Sequence, residues 1–277
     1  MESRGVRIFL RAMTAFVLVF LYLPLVVIVI YAFNRSQGQS WPISGVTTHW
    51  FGDAWHDPTV RAALATSLKA GAGATAIALV LGTTVAFAVH RFRFFGREAI
   101  SFLLVLPLAL PGIVTGIALN STINASGIPF SLLTIIAGHA TFCVVVVFNN
   151  VIARLRRMQG NLVEASMDLG AGGWQTFRMV TLPSLSGALV AGGLLAFALS
   201  FDEIIVTNFT SGSEQTLPKW IFDQIRLPHA RPVVNVVAVG VMVLSLIPVY
   251  LAQRLAGGAA GRLGGGGGLA APVRAEA

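Results

Sequence analysis

A chain of 277 residues that is 55% hydrophobic and 11% charged, with a mean hydropathy of +0.78, carries less than half the charge of an average soluble domain, about 25%, and is long enough for several membrane spans. Its single cysteine, Cys143, excludes a disulfide framework and a multi-cysteine metal site. A net charge of +8 would point to nucleic acid in a soluble protein, but in a membrane protein it marks basic cytoplasmic loops, so no nucleic-acid partner is expected and the partner common to all readings is the lipid bilayer.

A bilayer core about 30 Å thick takes about 20 apolar residues per helical span. The expected fold class is therefore all-α and polytopic, with spans at about 12–33, 64–89, 98–119, 131–152, 187–208 and 235–255. Residues 1–11 form a short N-terminus whose Arg4, Arg7 and Arg11 precede the first span. That span is too long for the apolar region of a secretory signal, and it exits through Tyr31-Ala32-Phe33-Asn34 without a small-x-small site, so it is read as a retained anchor. With the N-terminus inside, thirteen of the 19 Lys and Arg fall on the cytoplasmic side, leaving Arg35, Arg61, Lys69, Lys219, Arg226 and Arg231 outside. The bias places both termini in the cytoplasm.

The segment 34–63 then lies outside, and its Trp41, Trp50 and Trp55 suit the membrane interface. In the second span, Gly71, Gly73, Ala74, Ala78 and Gly82 favour close backbone approach to other helices. The third holds Pro107 and Pro111, each of which removes a backbone donor, so this helix is expected to bend. The fourth carries His139, which is read as a neutral histidine satisfied by a neighbouring helix; Cys143 one turn later leaves too few donors for a metal.

The connection 153–186 is too long for a simple loop. Arg154, Arg156 and Arg157 hold its start in the cytoplasm. Asn161 with Glu164 resembles an Asn-x-x-Glu variant of the capping box and predicts a short helix. Ala165, Ser166, Met167 and Leu169 give that helix a small, partly apolar surface, and Gly170, Gly172 and Gly173 end it and turn the chain. Leu182-Pro183 restarts a helix toward the membrane. In the fifth span, Asp202 and Glu203 stand beside or within apolar helix, where a charge costs about 2.5 to 3.5 kcal/mol. Neighbours on a helix diverge by about 100°, so one acid can face a central path while the other meets headgroup water; a base such as Lys69 or Lys219 is the alternative partner. Phe201 and Phe209 offer aromatic faces to a cation. Residues 256–277, with the run Gly264 to Gly268, read as a flexible glycine-rich cytoplasmic tail, and no GxxxxGK[ST] phosphate loop occurs anywhere in the chain.

The stretch EASMDLGAGGWQTFRMVTLP resembles the coupling loop of membrane subunits of bacterial ATP-binding-cassette (ABC) importers: Glu-Ala-small, a glycine six positions after the Glu, then aliphatic-x-Leu-Pro. The matching residues are Glu164, Ala165, Ser166, Gly170, Val180, Leu182 and Pro183, with Ser166 and Val180 as departures from the family's Ala and Ile. With HATFCVVVV from His139, LSFDEIIVTNF from Leu199 and Leu217-Pro218, the chain is similar to the spermidine/putrescine permease family of the PotC type over about residues 8 to 255.

That resemblance implies a type I ABC importer permease fold with its core at 64–255, in the bacterial inner membrane. It further implies a second homologous permease, two cytoplasmic ATP-binding subunits that use ATP and Mg and dock on Glu164, Ala165, Ser166, Gly170, Leu182 and Pro183, and an external substrate-binding protein. This chain would bind no cofactor and would not itself be an enzyme. The substrate-pathway candidates are Asp202, Glu203 and Phe201. Related permeases carry thiamine, ferric iron, sulfate or phosphonates, and local motifs do not separate these from polyamines. An intramembrane hydrolase lacks support, since neither HExxH nor GxSxG is present, and a lone ion-driven carrier with repeated halves is disfavoured by the single coupling loop.

Overall fold

The computed structural model describes residues 4–38, 41–158, 161–227 and 231–264. The elements in chain order are α1 (Arg4–Ala32), α2 (His49–His56), α3 (Pro58–Arg91), α4 (Arg97–Ala109), α5 (Gly112–Ala125), α6 (Leu132–Arg157), α7 (Asn161–Asp168), α8 (Gly173–Thr176), a π-helical turn (Phe177–Thr181), α9 (Leu182–Phe201), α10 (Ile205–Thr210), α11 (Leu217–Gln224) and α12 (Arg231–Gly264). Among the described residues there is no strand, only an isolated antiparallel bridge between Asn34 and Val46. The long apolar helices are α1, α3, α6, the run Gly173–Phe201 and α12, and the bent pair α4–α5 makes a sixth candidate span.

Several boundaries differ from the sequence expectation, beginning with α1, which is helical from Arg4 instead of 12, and α3, helical from Pro58 instead of 64. The span expected at 98–119 is broken: α4 and α5 meet at 105°. Pro111 is the cause, because its ring pushes the preceding residue out of the helical region; Leu110 is extended, at φ −78° and ψ 144°. The fifth span does not restart at Leu182 but is already helical from Gly173, and it stops at Phe201 instead of 208. The sixth runs to Gly264, so the first part of the expected tail at 256 is helical; the remainder of that tail lies outside the described residues.

The chain forms two compact units, 1–67 with 215–244 and 68–214 with 245–277. In the first, Asn34 is buried and organises the segment after α1. Its side-chain amide donates to Gly38 O at 3.2 Å, and its Oδ1 accepts from the Ser36 N–H at 3.3 Å. Trp50 donates through Nε1 to Asn34 O at 2.8 Å and braces this segment, while Trp41 and Trp55 are exposed. Trp220 of α11 is buried and donates to Thr59 Oγ1 at 3.0 Å.

The second unit is built around α6. Val147, Phe148, Val151 and Leu155 pack with Ala74, Ala78 and Ala86 of α3 and with Leu185 and Ala196 of α9. The small residues read in the second span serve that approach: a Cβ on Gly82 would lie 2.8 Å from Val144 O, and one on Gly71 3.0 Å from the Phe197 ring.

Candidate functional site

Two places in the second unit hold the residues singled out by sequence. The first is the segment 161–183. Helix α7 begins at Asn161 and has no buried residue. It ends in a Schellman arrangement: the Gly170 N–H bonds Met167 O at 2.9 Å and the Ala171 N–H bonds Ser166 O at 3.1 Å. Gly170 holds φ at 84° with open space where a Cβ would stand, so glycine is needed there for its backbone conformation and not for a close contact within the chain. Glu164 and Ala165 are exposed. Ser166 is half-buried, and its hydroxyl bonds that of Thr176 at 3.1 Å. This bond ties α7 to α8 and gives the serine at the family's alanine position a structural use.

Beyond α8 the helix widens into the π-turn, where the Leu182 N–H reaches Phe177 O. Pro183 offers no N–H to Met179 O and its ring would crowd that carbonyl in a regular α-helix; the wide turn relieves both problems. Leu182 and Pro183 are exposed, as are Leu169 at 89%, Trp174 at 71% and Met179. Trp174 stacks on Phe177 with centroids 5.6 Å apart. Sequence reasoning passed over Trp174 and Met179; the available signal was a large apolar residue on either side of a basic one, Arg178, in a loop rich in glycine. Behind the segment lies a cavity of about 290 Å³ lined by Phe87, Leu155, Met158, Met167 and Phe177, with His90 and Arg91 at its edge.

The second place is the break between α9 and α10. Phe201 ends α9, is 2% exposed and stacks on Phe197 with centroids 6.0 Å apart; its face is covered within the chain instead of offered to a cation. Asp202 and Glu203 occupy the turn and take different roles. Glu203 is partly buried, and its Oε1 accepts the Val206 N–H at 2.9 Å at the start of α10, satisfying one of the orphan donors of that helix. The Asp202 side chain is exposed. Among the described residues of this unit no base forms an ion pair with either acid.

His139, fully buried at 0% exposure, reaches across this break from α6. Its Nδ1 lies 2.7 Å from Ser200 Oγ and its Nε2 lies 2.8 Å from Thr207 Oγ1. The Thr207 hydroxyl donates to Glu203 O at 2.8 Å, so it accepts from Nε2–H, and Nδ1 in turn accepts the Ser200 proton. Both ring nitrogens of a neutral imidazole are satisfied. Further along, Asn120 of α5 donates to Phe209 O at 2.7 Å, and a Cβ on Gly116 would collide with the Phe209 ring. Cys143 donates to Ala196 O at 3.3 Å, and no cluster of three potential metal ligands occurs among the described residues.

A family model described as the inner membrane component of binding-protein-dependent transport systems matches residues 78–260. The chain is 35% identical over 247 residues to the putrescine transport system permease protein PotI of Escherichia coli K12, covering 85% of this chain and 87% of that one. It is 33% identical over 250 residues to the spermidine/putrescine transport system permease protein PotC of Haemophilus influenzae, covering 89% and 96%. Among solved structures it is similar to a chain of a bacterial ABC transporter that imports alginate, with a TM-score of 0.68 at 14% identity over 91% of this chain and 94% of that one. A chain of the MetNI methionine ABC transporter follows at 0.56 and 18%, over 73% and 95%. At such identities the likeness shows the fold, which is that of ABC importer permeases. The chain belongs to the family of inner membrane components of binding-protein-dependent transport systems, as a multi-pass permease.

Proposed function

We propose that this permease moves polyamines into the cell, paired with a second, homologous permease, driven by two ATPase subunits that bind and hydrolyse ATP with Mg, and supplied by an external binding protein. Both termini face the cytoplasm, and so does the segment 161–183, which seats its exposed face, with Glu164, Ala165 and Ser166 on α7, Gly170 at its end and Leu182-Pro183 beyond the π-turn, in a groove of an ATPase subunit. This chain has no phosphate-binding loop and leaves ATP hydrolysis to that partner. The observation that carries the substrate assignment is an exposed carboxylate, Asp202, without an ion-pair partner among the described residues of its unit, at a break in an apolar helix, in a chain whose relatives at 33 to 35% identity are named for putrescine and spermidine. A multiply charged cation leaving water needs acids that replace its hydration, and an isolated carboxylate costs too much in a span to stand there without use.

The test is uptake of labelled putrescine and spermidine into vesicles bearing the assembled importer. Asp202→Asn should cut uptake per assembled complex about tenfold, equivalent to about 1.4 kcal/mol. Glu203→Gln should cost far less, because the amide oxygen can still accept the Val206 N–H. Normal uptake of both polyamines by Asp202→Asn would overturn the substrate assignment and leave the family untouched.

A further inference from the structure

We infer that His139 is a positioning residue for the acid turn, holding Asp202 in place by gripping the chain on both sides of it. The inference deepens the reading of Asp202 as a cation stage and rests on it. Between α9 and α10 the helix breaks over Asp202, Glu203 and Ile204; the Asp202 N–H still reaches Ala198 O at 3.3 Å and the Glu203 N–H reaches Ser200 O at 3.4 Å, bonds too long to fix on their own the direction in which the turn presents its carboxylate. One imidazole does. Ser200, bonded at 2.7 Å, is the last residue but one of α9. Thr207, bonded at 2.8 Å, lies in α10, and its hydroxyl continues at 2.8 Å to the carbonyl of Glu203 itself.

The chain of contacts therefore runs from α6 to α9 and, through the same ring, to the backbone of the turn. A buried neutral imidazole needs a partner for its donor and another for its acceptor, and here those two partners, Ser200 and Thr207, flank the acids. Elsewhere on α6, Thr134 Oγ1 donates to Thr210 O of α10 at 2.7 Å and Cys143 Sγ to Ala196 O of α9 at 3.3 Å; each ties one of the two helices, whereas the His139 ring holds both beside the acids. Removing the ring leaves the buried Ser200 hydroxyl to find a new partner and the Thr207 hydroxyl with Glu203 O alone, so the turn loses its tie to His139 and is freer to rotate. The Asp202 carboxylate then stands off its position toward the cation, a displacement that costs binding more than folding.

The experiment measures KM and Vmax for putrescine and spermidine, normalised to the amount of assembled importer, in His139→Leu, His139→Gln and His139→Asn. His139→Leu should raise KM about tenfold or more. His139→Gln keeps a donor near the Nε2 position and His139→Asn an acceptor near Nδ1, so each should raise KM less than His139→Leu. Because His139 acts through Asp202, adding His139→Leu to Asp202→Asn should change KM by less than about twofold beyond Asp202→Asn alone. A KM within about twofold of wild type in His139→Leu, or a full additional increase in the double variant, overturns the inference. Should His139→Leu fail to assemble, Ser200→Ala removes one bond to the ring at little change in volume, while Thr207→Val removes both the bond to the ring and the bond to Glu203 O; a raised KM in Ser200→Ala supports the clamp and an unchanged KM in both variants overturns it. A normal KM in Asp202→Asn beside a raised one in His139→Leu would instead sink the reading of Asp202, and the inference with it, whereas the reverse result would sink the inference alone.

Discussion

Gly170 shows how a residue's place can be legible while its reason is not. The run of glycines after α7 marks a helix end in the sequence, and the helix does end there. The family pattern invites the view that a small residue is needed for close contact, yet among the described residues no atom beyond its two chain neighbours lies within 4 Å of where a Cβ would be, and the φ of 84° is the constraint. An L-residue forced into that conformation loses about 1 to 2 kcal/mol, and Asn, with its local hydrogen bonds, loses least. Gly170→Val and Gly170→Ala should therefore both weaken capture of the ATPase subunit and reduce uptake, while Gly170→Asn should retain most of both. Co-purification and vesicle uptake decide this, and equal loss in Asn and Val would return the explanation to a crowded interface with the partner. The roles of Asp202 and Glu203 were not legible, because their distinction depends on where α9 stops: a continuous helix through 208 would have placed them about 100° apart on one rod, not in a turn where one of them caps the next helix. His139 was legible as a satisfied histidine, but its partners lie 61 and 68 residues away, beyond the reach of any local pattern.

Two prolines shape the elements in opposite ways. Pro111 breaks its helix outright, since the residue before it adopts an extended conformation. Pro183 leaves the helix continuous and displaces the strain upstream into Phe177–Thr181. Helix existence and type followed from hydropathy, because apolar runs of this length have one way to satisfy their backbones in lipid. Breaks and wide turns depended on a single ring and its carbonyl neighbour, and the sequence could only say that a bend was due. If the wide turn is held open by Pro183, then Pro183→Ala lets it tighten toward regular α-helix. Segment 161–176 then changes its angle to α9, and uptake should fall while membrane insertion and expression stay normal. Unchanged uptake in Pro183→Ala would show that the turn is held by its packing and not by the proline.

At the scale of the molecule, the described helices have the lengths and apolar character of six spans when the bent pair counts as one, and α1 is exposed along almost its whole length, as befits a helix whose surroundings are lipid or another subunit. The proposed orientation makes a direct prediction. In a Cys143→Ser background, cysteines at the exposed positions Gln37 and Ser213 should react with an impermeant thiol reagent added outside. A cysteine at the exposed Gln175, in permease expressed without its ATPase, should react only after the membrane is opened; reversed labelling would invert the topology and remove segment 161–183 from the reach of a cytoplasmic partner. The wide turn, finally, has an angular consequence. An extra residue in a regular helix rotates everything beyond it by about 100°, whereas a π-turn absorbs that residue and keeps both flanks in phase. The segment before the turn is thus indexed to the membrane by residue count. Tightening the turn by Pro183→Ala spoils the index, and deleting one residue from Phe177–Thr181 in the same chain should reset it and restore uptake. The same deletion made at Val190, in the regular part of α9, has no slack to draw on and should leave the importer silent.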